Sequence, residues 1–177
     1  MLATVSERYT PLTPDTLTPE QKPVYDAIAA ARNGSVPKPF HIFLQSPEVC
    51  DRTQQLGALL RYRTGLPPRL SELAILVTAR HWRAEYEWSV HEAEARKAGV
   101  PEDVIRAIAA GKRPAVAGDD ALIYEFAASF FADRDVSDIV FNATVARFGD
   151  KTVVELSSIL GYYSMLAIVM GIFRVKP

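Results

Sequence analysis

From Leu70 to Ala79, just behind Pro67-Pro68, the chain is apolar on nearly every side at helical spacing. No other feature constrains the fold as much, because a helix without a wet face has to be surrounded by other elements. No stretch alternates apolar and polar residues for long enough to make a half-buried strand, so those elements are expected to be helices as well.

The punctuation of the chain agrees. Thr18-Pro19-Glu20-Gln21 has the spacing of a capping box with proline at the first helical position. The helix it opens is expected to reach about Arg32 and to stop at Asn33-Gly34. A short turn is expected around Phe40 to Leu44, and Ser46-Pro47-Glu48 opens a helix that ends near Arg63. Gly99 and Gly111 close two further helices, and Asp119 or Asp120, Ser137 and Asp150 cap the last three. The expectation is an all-α, single-domain helical bundle of about seven or eight helices. It spans residues 18–177, behind an extended N-terminal arm at 1–17 that lies over the surface or a neighbouring subunit.

With 177 residues, 49% hydrophobic and 23% charged, the chain suits one globular core. It carries 20 basic and 21 acidic side chains, a formal net charge of −1, and no Lys/Arg block, so a nucleic-acid partner is not expected. A single cysteine, Cys50, leaves no internal disulfide and no two-thiol couple. Together with an N-terminus that does not read as a signal peptide, this points to a cytoplasmic protein. Ile159 to Phe173 is the most apolar segment, shorter than the ~20 residues that cross a bilayer. It reads as a buried helix, and no membrane partner is expected.

Chemistry concentrates in EYEWSVHEAEARKAG, Glu85 to Gly99. Glu87 and His91 are four apart and share a helical face with Trp88 and Ala84, and His81 and Glu85 repeat the spacing upstream. A carboxylate beside an imidazole favours the protonated ring and fixes its orientation, as a general acid needs. The same pair on a solvated face contributes only tenths of a kcal/mol, and spacing alone leaves both readings open. Glu72 precedes the apolar run Leu73 to Val77. If buried it needs a partner, from Arg69, Arg80 or the next helix. Otherwise it sits in a first turn, where the helix dipole favours a carboxylate. His41 and Cys50, in apolar surroundings, read as structural. With neither a histidine–carboxylate metal spacing nor a glycine-rich phosphate loop, no metal or cofactor is expected.

The motifs resemble those of the carboxymuconolactone decarboxylase family, within the alkylhydroperoxidase D-like superfamily. Arg69-Leu70-Ser71-Glu72-Leu73-Ala74-Ile75-Leu76 is similar to that family's R-x-x-E-L-x-I-L. Tyr86-Glu87-Trp88-Ser89-Val90-His91 is similar to its (Y/F)-E-W-x-x-H, and Ala95 to Val100 to its A-x-x-A-G-(V/L). The motif core covers about residues 69–111, and Gly161 to Phe173 looks like the family's last helix. The resemblance implies an alkylhydroperoxidase D-like all-α fold and homo-oligomers, trimeric or hexameric. It also implies a cofactor-free decarboxylase acting on a small carboxylated lactone of aromatic-compound degradation. His91 would then be the proton donor, Glu72 its orienting partner and Glu87 a second acid or base. Arg69 or Arg80 would hold the substrate carboxylate, with Tyr86 and Trp88 lining the pocket. Superfamily members with thiol peroxidase chemistry carry a C-x-x-C pair whose positions fall here on Ala84 and Glu87. That chemistry needs two adjacent thiols, so an antioxidant protein is the lesser alternative. A non-catalytic binding or scaffold protein is the other.

Overall fold

The computed structural model describes residues 6–177, and the first five residues of the expected arm lie outside the described residues. Among the described residues there are nine α-helices and no strand. They are α1 (Gln21–Ala30), α2 (Lys38–Phe43), α3 (Pro47–Tyr62), α4 (Pro68–Trp82) and α5 (Glu85–Lys97), followed by α6 (Glu102–Ala109), α7 (Gly118–Asp133), α8 (Asp138–Phe148) and α9 (Asp150–Phe173). A 3-10 turn at Pro14–Thr16 precedes them.

The all-α expectation holds, with one helix more than about seven or eight. The addition is α2, where a turn was expected. It is short, but Pro37 and Lys38-Pro39 set its entry and Phe40, Ile42 and Phe43 are buried, so packing rather than length stabilises it. The capping box at Thr18 forms reciprocally. Gln21 N–H donates to Thr18 Oγ1 at 3.3 Å, and Thr18 N–H donates to Gln21 Oε1 at 2.9 Å. At α8, Ser137 Oγ accepts from the Val140 amide.

Every residue from Leu70 to Ala79 is buried, because α4 is packed by α5, α7 and α9 at once. Of the two hydroxyls there, Ser71 and Thr78, the Thr78 one donates to the Ala74 carbonyl at 2.8 Å. Helices α7, α8 and α9 pack together beside it, while α1, α2 and α3 cover the other end of α9 or one another. The apolar C-terminal helix is longer than residues 159–173 suggested. α9 has 24 residues and is long and apolar enough, by composition, to span a bilayer. Leu156, Ile159, Leu160 and Leu166 nevertheless face the core, and α4 packs along it, so it serves here as a central helix of the bundle.

The arm lies on its own chain over the described part. Arg8 N–H donates to the Phe173 carbonyl at 2.8 Å, and Leu12 N–H to His41 Nδ1 at 3.1 Å.

Candidate acid–base site

Helices α4 and α5 are joined by Arg83 and Ala84 alone. Arg83 takes a left-handed conformation (φ 51°), and the Ala84 amide returns to the Ala79 carbonyl at 2.9 Å. So short a connection makes α5 pack back on α4 as a helical hairpin. The break also separates His81 from Glu85, so their four-residue spacing does not put them on one helix. His81 instead stacks on Phe131, ring centroids 4.3 Å apart.

The hairpin brings Glu72 and His91 face to face. His91 Nδ1 lies 2.7 Å from Glu72 Oε2, and its Nε2 lies 3.5 Å from Glu87 Oε2. All three side chains are buried, at 8%, 3% and 3% exposure for Glu72, Glu87 and His91. Glu72 lies beyond the first turn of α4, so its partner is the imidazole and not the helix terminus. A carboxylate only accepts, so Nδ1–H donates to Glu72 and the ring orientation is fixed. Tyr163 presses edge-on against the ring, with centroids 4.8 Å apart. The two carboxylates flank the imidazole on opposite nitrogens instead of converging on one point. Among the described residues no three His, Cys, Asp or Glu side chains form a metal cage.

Burial pushes the Glu87 carboxyl above its ordinary range, and the Glu72 charge adds to this. The His91 and Arg61 charges pull the other way without cancelling it. Glu87 therefore holds a proton more tightly than an ordinary glutamate, within reach of a ring nitrogen.

Glu87 and His91 line a half-open cavity of about 110 Å³ between α2, α3, α5 and α9. Tyr86 lines it as well. Trp88 does not; it is half-buried against the core. Arg69 is also elsewhere, paired with Asp120 on α7. Arg80 lies against Gly111 in a separate cleft. Neither of those arginines lines the His91 cavity: eleven residues apart, they project from nearly the same side of α4, one onto Asp120 of α7 and the other into the cleft shared with α6 and α7.

The cavity's arginine is Arg61, from α3, and Arg32 lies at its edge. Sequence reading missed both, since nothing near them in the chain carries chemistry. It also passed over Tyr162 and Tyr163, whose signal was a pair of hydroxyls in an otherwise greasy helix. Gly57 is the counterpart of Tyr162: a Cβ there would stand 2.2 Å from the tyrosine hydroxyl. Burial raises the Tyr162 hydroxyl to about 12, so it stays a proton donor. Cys50 is fully buried, its thiol likewise raised to about 12, chiefly by burial.

The sequence profile of the carboxymuconolactone decarboxylase family matches residues 47–128, from the start of α3 into α7. No protein of curated function matches the chain in sequence. Among solved structures, an uncharacterized peroxidase-related protein from Silicibacter sp. TM1040 superposes with a TM-score of 0.78 at 13% identity, covering 100% of this chain and 94% of that one. A cysteine-to-alanine variant of the debrominase Bmp8, in complex with 2,3,4-tribromopyrrole, superposes with a TM-score of 0.73 at 14% identity, covering 97% and 93%. These likenesses concern the fold, which is alkylhydroperoxidase D-like. The Glu72, Glu87 and His91 motifs all fall inside the segment, residues 47–128, that matches the carboxymuconolactone decarboxylase family profile.

Proposed function

We propose that the protein is a cofactor-free acid–base enzyme of the decarboxylase type. Its substrate is a small carboxylated lactone or a related metabolite of aromatic-compound degradation. One observation carries this reading: both ring nitrogens of the buried His91 face buried carboxylates, and the second, Glu87, opens onto a cavity that contains an arginine.

In the proposed reaction the substrate carboxylate pairs with Arg61 while its ring lies between Phe40, Tyr86 and Leu166. The bond from the ring carbon to the carboxylate breaks, carbon dioxide leaves, and the electron pair spreads into the conjugated lactone carbonyl. The proton held by Glu87 then goes to carbon, and solvent restores it. Glu72 holds the ring in position throughout and acts as a positioning residue. The cavity, about 110 Å³, is smaller than an engineered one of about 150 Å³ that accepts benzene, but it is half-open, so part of the substrate extends out of it. Thiol peroxidase chemistry has less support, because the chain's single thiol is inaccessible and protonated at neutral pH.

The test is a screen of carboxylated lactones and β-keto acids for carbon dioxide release. Replacing His91 by alanine is expected to lower turnover by about a hundredfold or more while the helical content persists. Equal release by both proteins would defeat the proposal.

The same reading carries a homo-oligomer, trimeric or hexameric. From Leu156 to Phe173, α9 has no charged residue. Its outer face exposes Val154, Ile168 and Ile172, at 64%, 44% and 57%. Val154, Gly161 and Ile168 are seven apart, and so are Ser158, Met165 and Ile172, which is the period of a helix–helix seam.

A further inference from the structure

Arg80 leaves a physical question that the acid–base site does not absorb. Its Nε–H is shut off from solvent and has no hydrogen-bond partner. Among the described residues the guanidinium forms no hydrogen bond and no ion pair. It rests instead on Gly111, at the end of α6, where any Cβ would stand 2.8 Å from Nη2. A mostly buried cation without a counter-charge costs the fold free energy, and an orphaned buried N–H adds to that cost. Glu125, next to Tyr124 in the chain, does not line this cleft; its Oε2 accepts from Arg113 at 3.2 Å, while its buried Oε1 has no hydrogen-bond partner.

The surroundings of Arg80 are organised for a ligand of one kind. It lines a cleft of about 240 Å³ between α4, α6 and α7, and no carboxylate lines that cleft. Val77, Ile108 and Ala128 give an apolar floor, and Phe131 is held flat by its stack on His81. Lys112 brings a second cation to the rim, and Tyr124 a hydroxyl. An apolar wall beneath two uncompensated cations matches a molecule with a flat greasy body and one anionic end.

We propose that this cleft is a second binding site, distinct from the cavity at His91, for a small aromatic or branched aliphatic carboxylate. The carboxylate pairs with the part of the Arg80 guanidinium that lines the cleft, with Lys112 as a second contact. The hydrocarbon part lies on Val77, Ile108 and Phe131. The inference stands on the cleft alone and is independent of the decarboxylase reading.

Benzoate is a suitable probe, followed by side-chain NMR of the whole protein. Saturable shifts are expected at His81, Tyr124 and Phe131. Arg80→Gln is expected to weaken them by about tenfold or more, the scale of one charge-assisted hydrogen bond. Arg61→Gln, which alters only the other cavity, leaves them unchanged. Benzoate is also expected to raise the melting temperature of the wild type more than that of Arg80→Gln. Shifts confined to the His91 cavity, or cleft shifts that survive Arg80→Gln, overturn the proposal. Should Arg80→Gln fail to fold, the wild type decides: resonances of the cleft that stay silent at saturating benzoate overturn it too. A dimer that covers these residues and excludes benzoate has the same consequence.

Discussion

The Glu87 carboxyl is enclosed by groups from four helices: Glu72 on α4, His91 on its own helix, Arg61 on α3, and Tyr162 and Tyr163 on α9. Burial raises its proton affinity in the folded state above the ordinary value of 4.5. The native protein therefore keeps a proton that the unfolded chain releases, and stability falls as pH rises from 4.5 through the higher folded value. Glu87→Gln retains the shape and removes the titration. Its melting temperature should be close to the wild type's near pH 4.5 and higher than the wild type's at about pH 8, with turnover reduced. Thermal melts across that range check this, and an offset that does not change with pH would mean that Glu87 is ionised in the fold. Glu72→Gln is expected to affect turnover differently. Because it acts through His91, it should shift the pH profile of kcat more than it changes KM.

At the scale of elements, α2 and α3 form the mouth of the cavity. Pro39 and Phe40 of α2 line it, and on the outer side His41 ties α2 to the arm. Because His41 Nδ1 accepts from the Leu12 amide, its Nε2–H donates to the Val36 carbonyl, 3.1 Å away. Burial holds this ring below the ordinary 6.5, so the folded state prefers it neutral. The contribution is complete above 6.5 and is lost as pH falls below that value, when Nδ1 gains a proton facing the Leu12 N–H. Exchange of the Leu12 amide, corrected for its intrinsic rate, should therefore accelerate on acidification. A rate that stays flat would show that the arm is held by other contacts. Gly57→Ala probes the crossing of α3 and α9. The added methyl must displace the Tyr162 ring, so a loss of about 1–3 kcal/mol in unfolding experiments is expected, together with lower activity.

For the whole molecule, the decisive surface is the outer face of α9. The inner face of this helix is core, and among the described residues the outer face leaves Val154, Ile168 and Ile172 exposed. An exposed stripe of this length favours association. Ile168→Glu with Ile172→Glu puts two charges into the seam and is expected to leave the helical content intact while light scattering shifts to a monomer mass. A wild type that is already monomeric would remove the basis for the proposal.

Much of this protein was legible in the residues themselves. Proline and glycine punctuation, and a ten-residue apolar run, are enough to require an all-α bundle with α4 at its centre, because local capping and burial act over short sequence distances. Glu87, His91 and Glu72 were also legible as candidates, since two share a helical face and one is too polar for its position. The chemistry of the site depended on packing. Only the two-residue turn at Arg83 and Ala84 decides that Glu72 meets Nδ1, and only the crossing of α3 and α9 brings Arg61 and the tyrosine pair to the same cavity. Arg69 and Arg80, close to Glu72 in sequence, point elsewhere, because side chains on a buried helix are distributed around its axis by the 3.6-residue period. Sequence determined which residues could be buried together; tertiary contacts between helices distant in the chain decided which of them touch.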